Sequence, residues 1–235
     1  MHSLHNLDLF NLNSKQSIDL PDTSAIHSNY FSPNSFKKLK DSGPFIKCRE
    51  AFSLLHCNLR SLRKNLEQFE THLLDELHFE FDVIGISETK LTSNSLPIDI
   101  NLNIPNYSFE YVPTPLSSGG VGIYINKRLN YTVIERNSNE SFQAIWIEIH
   151  FRDKKNVICG AVYRQHNCPN DFLSYFDSAL ETYSSNGKIL YILGDFNIDL
   201  LKSETCSYSQ SFLLSLQSCY LFPTIDKPTR VYNNS

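Results

Sequence analysis

The stretch KILYILGDFNID at residues 188–199 constrains the fold more than any other part of the chain. Its apolar run, ILYIL, is followed by Gly194, which permits a sharp backbone bend, and then by Asp195, Phe196 and Asn197. A short apolar run that ends in turn residues is typical of a strand buried on both faces. Alternation along an extended segment would point Asp195 and Asn197 one way and Phe196 back into the core. The stretch therefore predicts a carboxylate and an amide at the mouth of a buried strand, although turn chemistry alone also favours Asp and Asn there.

The overall composition suits one globular domain. The 235 residues are 41% hydrophobic and 20% charged, which is enough apolar material for a sizeable core. The net charge of -4 is too mild to indicate nucleic acid by itself. The six cysteines include no CxxC pair, and the chain shows neither a signal peptide nor an apolar run of transmembrane length. We therefore expect an intracellular protein, nuclear or cytoplasmic, that is not secreted and has no membrane partner.

Two regions differ in pattern. Residues 1–50 are rich in Ser, Asn and Lys, contain prolines and show no sustained period. They predict a mostly irregular leader, with a docked segment or short helix near residues 30–39. Residues 51–235 carry the strand and helix patterns and form the predicted domain.

Hydrophobic periodicity predicts a mixed α/β arrangement. Apolar strands at residues 52–57 and 81–87 flank a helical stripe that begins at Ser61, which is the βαβ pattern of a parallel or mixed sheet. Further strands are predicted at residues 107–112, 119–125, 131–135, 144–151 and 156–163, and helices from about residue 170 and near 209–217. The strand at 119–125 alternates apolar residues with Gly122 and Tyr124, which predicts burial of one face only.

Five polar side chains end four of the predicted buried strands or follow them closely: Asn58, Glu88, Tyr163, Asp195 and Asn197. Open α/β sheets place ligand sites at such strand ends. Glu88 is a hard oxygen donor suited to Mg²⁺, and Asp195 could orient or deprotonate a water molecule. Asn58, Asn197 and the Tyr163 hydroxyl could donate hydrogen bonds to a phosphate. A metal ion, an oriented water and hydrogen-bond donors together predict phosphodiester hydrolysis.

Six sequence pieces in one order carry a family resemblance. They are LLHCNLRSL, DVIGISETKL, SSGGVGIYI, AVYRQ, LGDFNIDL and PTR, and they span roughly residues 52–232. With them the chain resembles the endonuclease/exonuclease/phosphatase superfamily and, within it, the endonuclease domain of non-LTR retrotransposons. The resemblance implies a four-layer α/β sandwich, in which two mixed β-sheets face each other and helices lie outside. It also implies metal-dependent nicking of DNA.

The resemblance implies a role for each matching residue. Glu88 would be the ligand of Mg²⁺, or of Mn²⁺ in its place, with Asn58 beside it. Tyr163 and Asn197 would contact the phosphate, and Asp195 would position the nucleophile. Further contacts with the DNA substrate are expected from Arg164, Thr229 and Arg230.

One departure from the family pattern affects the expected activity. Retrotransposon endonucleases carry a Ser-x-Ile-Asp piece and then a Ser-Asp-His piece after the PTR segment, and that histidine binds the reacting phosphate. This chain reaches Ser235 before either piece. We therefore expect a truncated domain, incomplete at its C-terminus, with unpaired sheet edges and little or no nicking by this chain alone.

Two other functions stay open at this point. The chain could be a phosphatase or phosphodiesterase for a small substrate, or a non-catalytic remnant that binds DNA or nothing. Basic residues that line one groove would favour a polyanionic strand, whereas scattered ones would favour a lipid head group or nucleotide. The candidates are Arg60, Arg63, Lys64, Lys127, Arg128, Arg164 and Arg230. No obligate protein partner is expected.

Overall fold

Two four-stranded β-sheets that face each other form the centre of the protein. The computed structural model describes residues 7–9, 29–40, 52–94, 102–166, 171–185 and 187–225. Its strands are β1 (Leu7–Leu9), β2 (Asn29–Phe31), β3 (Leu54–Asn58), β4 (Val83–Ser87), β5 (Tyr107–Val112), β6 (Val121–Asn126), β7 (Asn130–Ser138), β8 (Phe142–His150), β9 (Val157–Arg164) and β10 (Ile189–Asp195). Its helices are α1 (Pro33–Lys40), α2 (Leu62–Phe69), α3 (Asp75–Leu77), α4 (Asp171–Ser184) and α5 (Ser207–Ser218). A π-helical segment, Glu70–Leu74, joins α2 to α3, and Leu200–Lys202 form a 3₁₀ turn.

Both sheets are mixed, as the sequence predicted. The first has the order β3-β4-β6-β5 and the second the order β10-β9-β8-β7, while β1 and β2 form a separate antiparallel pair. Strands β3 and β4 run parallel, with Asn58 beside Ser87, and β9 and β10 run parallel, with Tyr163 beside Asp195. Each sheet therefore has a pair of strand carboxyl ends at one edge, where the polar residues predicted above are found.

Helices cover the outer face of each sheet and complete four layers. The apolar stripe of α2 and the following turns, which includes Leu62, Leu66 and Phe69, packs on the first sheet. Helices α4 and α5 pack their aromatic residues on the second sheet. A third cluster, with Val83, Ile123 and other buried side chains, fills the space between the sheets. The predicted sandwich is confirmed.

Strand β6 corrects one expectation, because it is buried on both faces and not on one. The Tyr124 ring stacks on Phe109 of the neighbouring strand with centroids 4.3 Å apart. A Cβ atom at Gly122 would lie only 2.6 Å from Phe109 Cε2, so the small residue makes room for this ring. Aromatic packing thus covers the face that sequence alternation assigned to solvent.

Strand β10 corrects another expectation. Its residues are half-buried and Ile189 is 43% exposed, because β10 is an edge strand of its sheet within the described residues. Gly194 lies inside the strand, where a Cβ atom would be 2.1 Å from the Val162 carbonyl oxygen. The glycine therefore permits close strand approach, and the chain turns at Asn197, whose φ is 50°.

Part of the leader is ordered against the domain. Helix α1 places Phe36 in the outer core of the first sheet, with its ring 5.9 Å from that of Phe79. Lys37 Nζ lies 3.6 Å from Glu76 Oε1. Of the leader, the structure describes residues 7–9 and 29–40, and the rest lies outside the described ranges. No helix within those ranges is both long enough and apolar enough to cross a membrane.

Candidate active site

Asn58 joins two carboxylates at the carboxyl ends of the strands. Its Nδ2 atom donates to Glu88 Oε1 and to Asp195 Oδ2, each at 2.7 Å. Asn58 ends β3 and Glu88 follows β4 in the first sheet, whereas Asp195 ends β10 in the second. Residues 137 positions apart in the sequence, Asn58 and Asp195, are therefore in direct contact across the two sheets.

Asn197 and Tyr163 lie at the same rim. The Asn197 backbone N–H donates to Asp195 Oδ1 at 3.3 Å, and its Nδ2 donates to the Arg164 carbonyl oxygen at 2.6 Å. Tyr163 is beside Asp195 in the parallel register, so both side chains leave the same face of the sheet. The Tyr163 hydroxyl donates to Gln165 Oε1 at 2.8 Å. The structure thus gathers all five strand-end residues at one edge of the sandwich.

Arg164 lies behind this rim and not on it. Its side chain was expected to contact substrate, but the residue is 7% exposed and its guanidinium donates to the carbonyl oxygens of Phe196 and Asn197. Neighbouring residues on a strand point to opposite faces, so Tyr163 faces the other sheet and Arg164 faces the helices. Thr229 and Arg230, the other expected substrate contacts, lie outside the described residues.

Left-handed backbone conformations concentrate around the site. Among the described non-glycine residues, positive φ angles within a few positions of the two carboxylates or Asn58 occur at Arg60 (53°), Ser61 (137°), Glu88 (54°), Lys90 (53°) and Asn197 (50°). Such conformations cost about 1–3 kcal/mol each and persist where the surrounding structure holds them. Here, hydrogen bonds between the segments that follow β3 and β4 hold them. Leu59 N donates to Ser87 O at 3.1 Å, and Leu62 N donates to Thr89 O at 3.0 Å.

Two glycines allow a further loop to pass close to the site. Gly119 and Gly120 have φ angles of 93° and 85°, and their carbonyl oxygens accept hydrogen bonds from Lys90 N and Thr89 N. A Cβ atom at Gly119 would lie 2.6 Å from Gln143 Oε1 and 3.0 Å from Tyr163 Cε1. The segment therefore fits between the Glu88 loop and the Tyr163 ring only because these residues lack side chains.

His56 is a neighbour of the site that sequence reasoning missed. It precedes Asn58 by two residues on β3, so the alternation of the strand would have placed both side chains on one face. Its Nε2 atom lies 2.9 Å from Ser87 Oγ, next to Glu88 in the chain. Burial lowers the pKa of His56 to about 4, against the opposing effect of the Asp195 carboxylate. The imidazole is therefore neutral at pH 7, and its hydrogen bond is with the Ser87 hydroxyl.

The polar atoms at the rim fit a hard divalent cation. Mg²⁺ is usually bound in proteins by one or two carboxylates together with several waters. Glu88 and Asp195 supply two carboxylates within reach of one Asn58 nitrogen. Within the described ranges, no group of three or more His, Cys, Asp and Glu side chains is placed to hold a metal ion. A cation at this rim would thus rely on the two carboxylates and water, with the Asn58 amide beside them, because Asn58 Oδ1 accepts from Arg60 N.

The basic residues divide between the two ends of the sandwich. Arg60, Arg63 and Lys64 are exposed and follow β3 on the side of the site, as does Lys90 after Glu88. Arg128 instead binds Asp82, with Nη2 and Oδ1 2.6 Å apart, before the start of β4. Lys127 lies beside it, Arg164 is buried, and Arg230 lies outside the described residues. The expected set therefore does not line one groove as a whole.

Sequence comparison identifies the family. The profile of the Endonuclease/Exonuclease/phosphatase family matches residues 53–233. The chain belongs to this family. Its name covers endonucleases, exonucleases and phosphatases, which are enzymes that hydrolyse phosphate esters. No curated protein matches the sequence.

Three solved structures are among those similar to this chain. The AP endonuclease LMAP from Leishmania major has a TM-score of 0.53 and 14% identity, over 71% of this chain and 65% of that one. The APE2 catalytic domain from Xenopus laevis has a TM-score of 0.49 and 15% identity, over 68% and 66%. The 3' phosphatase NExo from Neisseria, bound to a product DNA hairpin, has a TM-score of 0.46 and 17% identity, over 72% and 71%. The Leishmania enzyme shows the fold, and this chain spans about two thirds of its length.

Proposed function

We propose that this chain is a DNA-nicking endonuclease domain of a retrotransposon-type protein, which hydrolyses a phosphodiester with Mg²⁺ or Mn²⁺. One observation supports this most: Asn58 holds Glu88 and Asp195 together at the strand ends of two different sheets. Membership of a family of phosphate-ester hydrolases agrees with that geometry. The six sequence pieces that resemble retrotransposon endonucleases support the narrower choice within the family.

The carboxylates have complementary roles in this proposal. Glu88, with Asn58 and Asp195 beside it, would hold the cation, which supplies positive charge to a phosphoryl oxygen when bound. Asp195 is fixed on both of its oxygens, since Oδ1 accepts from Asn197 N and Oδ2 accepts from Asn58 Nδ2. A carboxylate with a fixed orientation is suited to align a water molecule and accept its proton.

Two side chains at the rim can donate to the phosphate. The Tyr163 hydroxyl donates to Gln165 Oε1, and an arriving phosphate oxygen would accept this hydrogen bond in place of Gln165. Asn197 Nδ2 uses one hydrogen on the Arg164 carbonyl and has a second hydrogen to donate. These donors would stabilise the charge that develops on the phosphate during hydrolysis.

The distribution of basic residues bears on the substrate. Exposed Arg60, Arg63, Lys64 and Lys90 on the site's side of the first sheet favour a strand of phosphates. Lys127 and Arg128 lie at the opposite end, which leaves a small phosphate ester as the second candidate substrate. DNA binding that weakens steeply with salt would favour the first candidate.

The proposed chemistry depends on a cation held at Glu88 and Asp195. A useful assay therefore measures metal binding directly and follows nicking with protein in excess over plasmid.

The test compares the wild-type chain with Glu88→Gln and with Glu110→Gln, a matched change of a carboxylate that binds Arg136 away from the site. We expect Mn²⁺ or Mg²⁺ to raise the thermal unfolding midpoint of the wild type and of Glu110→Gln, because the cation binds only the folded state. Glu88→Gln should lose this shift. Nicking of supercoiled plasmid should require the cation and should fall in Glu88→Gln to the rate without metal.

Two results would contradict the proposal. An unfolding midpoint of the wild type that does not change with either cation would indicate a non-catalytic remnant. A cation-induced shift in Glu88→Gln equal to that of the wild type would show that the cation binds elsewhere. Hydrolysis of bis(p-nitrophenyl) phosphate without any salt-dependent DNA binding would favour the small-substrate alternative.

A further inference from the structure

Arg164 has an unusual set of partners for a buried cation. Its Nη1 atom donates to the carbonyl oxygens of Phe196 at 3.3 Å and Asn197 at 3.1 Å. Its Nε atom donates to the Tyr208 hydroxyl at 3.0 Å. The guanidinium carbon lies 4.6 Å from the centroid of the Tyr208 ring and 6.0 Å from that of Phe172. The partners in these contacts are neutral, although burying a charge is costly unless it is well compensated.

The contacts of Arg164 reach Asp195 through a single peptide group. The Phe196 carbonyl that accepts from Arg164 belongs to the same peptide as the Asn197 N–H, which donates to Asp195 Oδ1. The two ends of a trans peptide point in opposite directions, so the guanidinium lies on one side and the carboxylate on the other. Hydrogen bonds in such a chain polarise and strengthen one another.

A second contact closes the arrangement from the side chain of Asn197. Its Nδ2 atom donates to the carbonyl oxygen of Arg164 at 2.6 Å. Arg164 and Asn197 therefore bind each other twice, which fixes the left-handed turn at Asn197. Tyr208, in the first turn of α5, supports the guanidinium from beneath.

We propose that Arg164 is a positioning residue, which with Tyr208 orients the Asp195 carboxylate through the Phe196–Asn197 peptide. This inference rests on the proposed function, in which Asp195 aligns the attacking water. It replaces the expectation that Arg164 contacts the substrate. A lysine cannot reproduce it, because one ammonium group lacks the planar fork that serves two carbonyls and a phenol together.

The first test measures the contact without reference to activity. The Asn197 amide resonance in a ¹⁵N–¹H spectrum reports its hydrogen bond to Asp195. We expect Arg164→Lys to shift that resonance and to speed its hydrogen exchange, and Tyr208→Phe to do so less. The matched control is Tyr183→Phe, which also removes a buried helix hydroxyl, one that binds Glu135 away from the rim. An unmoved Asn197 amide in both Arg164→Lys and Tyr208→Phe would overturn the proposal.

The second test separates positioning from substrate contact. In metal-dependent plasmid nicking with protein in excess, Arg164→Lys should lower the plateau rate about tenfold or more, since small misplacements of a catalytic group are costly. Tyr208→Phe should lower it about threefold, because it removes one hydrogen bond from the guanidinium and leaves both carbonyl contacts of Arg164 in place. The half-saturating protein concentration should not change. A change in that concentration and in the salt dependence of binding, at an unchanged plateau rate, would instead show a phosphate contact.

The two proposals fail in different ways. If the plateau rates, corrected for the folded fraction, equal that of the wild type while the unfolding midpoint falls, Arg164 is structural only and the positioning role is wrong. If the wild type itself shows no cation-dependent nicking or stabilisation, the proposed function is wrong and the catalytic role of Arg164 falls with it. In that case a shifted Asn197 amide still confirms the contact itself.

Discussion

The Asn58 side chain reduces the repulsion between the Glu88 and Asp195 carboxylates. Two carboxylates in one partly buried place repel each other, and a donor between them reduces that repulsion. The Asn58 amide supplies this donor through one nitrogen, while its Oδ1 accepts from Arg60 N at 3.1 Å. The residue thus links the two sheets and also keeps the carboxylates close enough for one cation.

Replacing Asn58 should cost more stability than replacing another asparagine of similar burial. We expect Asn58→Leu to lower the free energy of unfolding by about 2 kcal/mol without divalent metal, because two hydrogen bonds to charged groups are lost. Asn65→Leu is the matched control, since Asn65 Nδ2 makes one bond to the neutral Leu59 carbonyl at 2.6 Å. Its loss should be about 1 kcal/mol. Urea unfolding measures both, and equal losses would show that the bridge has no special role.

The positions of some site residues could be predicted from the sequence, and those of others could not. Asn58 and Glu88 could be placed because strand length and the βαβ pattern determine where parallel strands end. The position of Arg164 could not be predicted in this way. Alternation places it on the face opposite Tyr163, but the sequence does not show that this face is covered by helices. Tyr208 gave no signal at all: its contact with Arg164 depends on where α5 docks. Hydrogen bonds between segments that are far apart in the sequence produce no local hydrophobic periodicity, so they cannot be predicted from it.

Strand β10 shows that the sequence can predict a strand without predicting its place in the sheet. Its apolar sequence predicted a strand, and the strand exists at Ile189–Asp195, but the pattern could not say that it forms a sheet edge. Strand β7, at the other edge, has an irregular register between Val133 and Glu135 and carries charged residues, both of which discourage further pairing. Among the described residues, the apolar run of β10 has no such protection.

This difference predicts where the folded protein self-associates. We expect Ile189→Lys to reduce concentration-dependent aggregation, because a charge on an exposed edge strand opposes strand pairing between molecules. Ile134→Lys on β7 is the matched control, since Ile134 and Ile189 are 40% and 43% exposed. Static light scattering over a concentration series should show a clear decrease for the first variant and little for the second. An equal decrease in both would point to added charge in general and not to the β10 edge.

The whole molecule includes more than the family-matched region. The profile match begins at residue 53, yet α1 precedes it and contributes Phe36 to the core. Composition predicted a mostly irregular leader, and only its docked segment, near residues 30–39, was expected to be ordered. A single aromatic residue among polar neighbours carries little periodic signal. The burial of Phe36 depends on side chains distant in the sequence, such as Leu77 at the end of α3 and Phe79 just after it.

Docking of α1 should therefore contribute to the stability of the entire domain. We expect Phe36→Ala to lower the free energy of unfolding by about 3 kcal/mol, as for other buried aromatic side chains that leave a cavity. Lys37→Ala removes only an ion pair whose side chains are 34% and 42% exposed, and should cost at most about 0.5 kcal/mol. Urea unfolding followed by near-UV circular dichroism of the domain aromatics measures both variants. If Phe36→Ala unfolds at the wild-type urea concentration, α1 is not part of the cooperative unit.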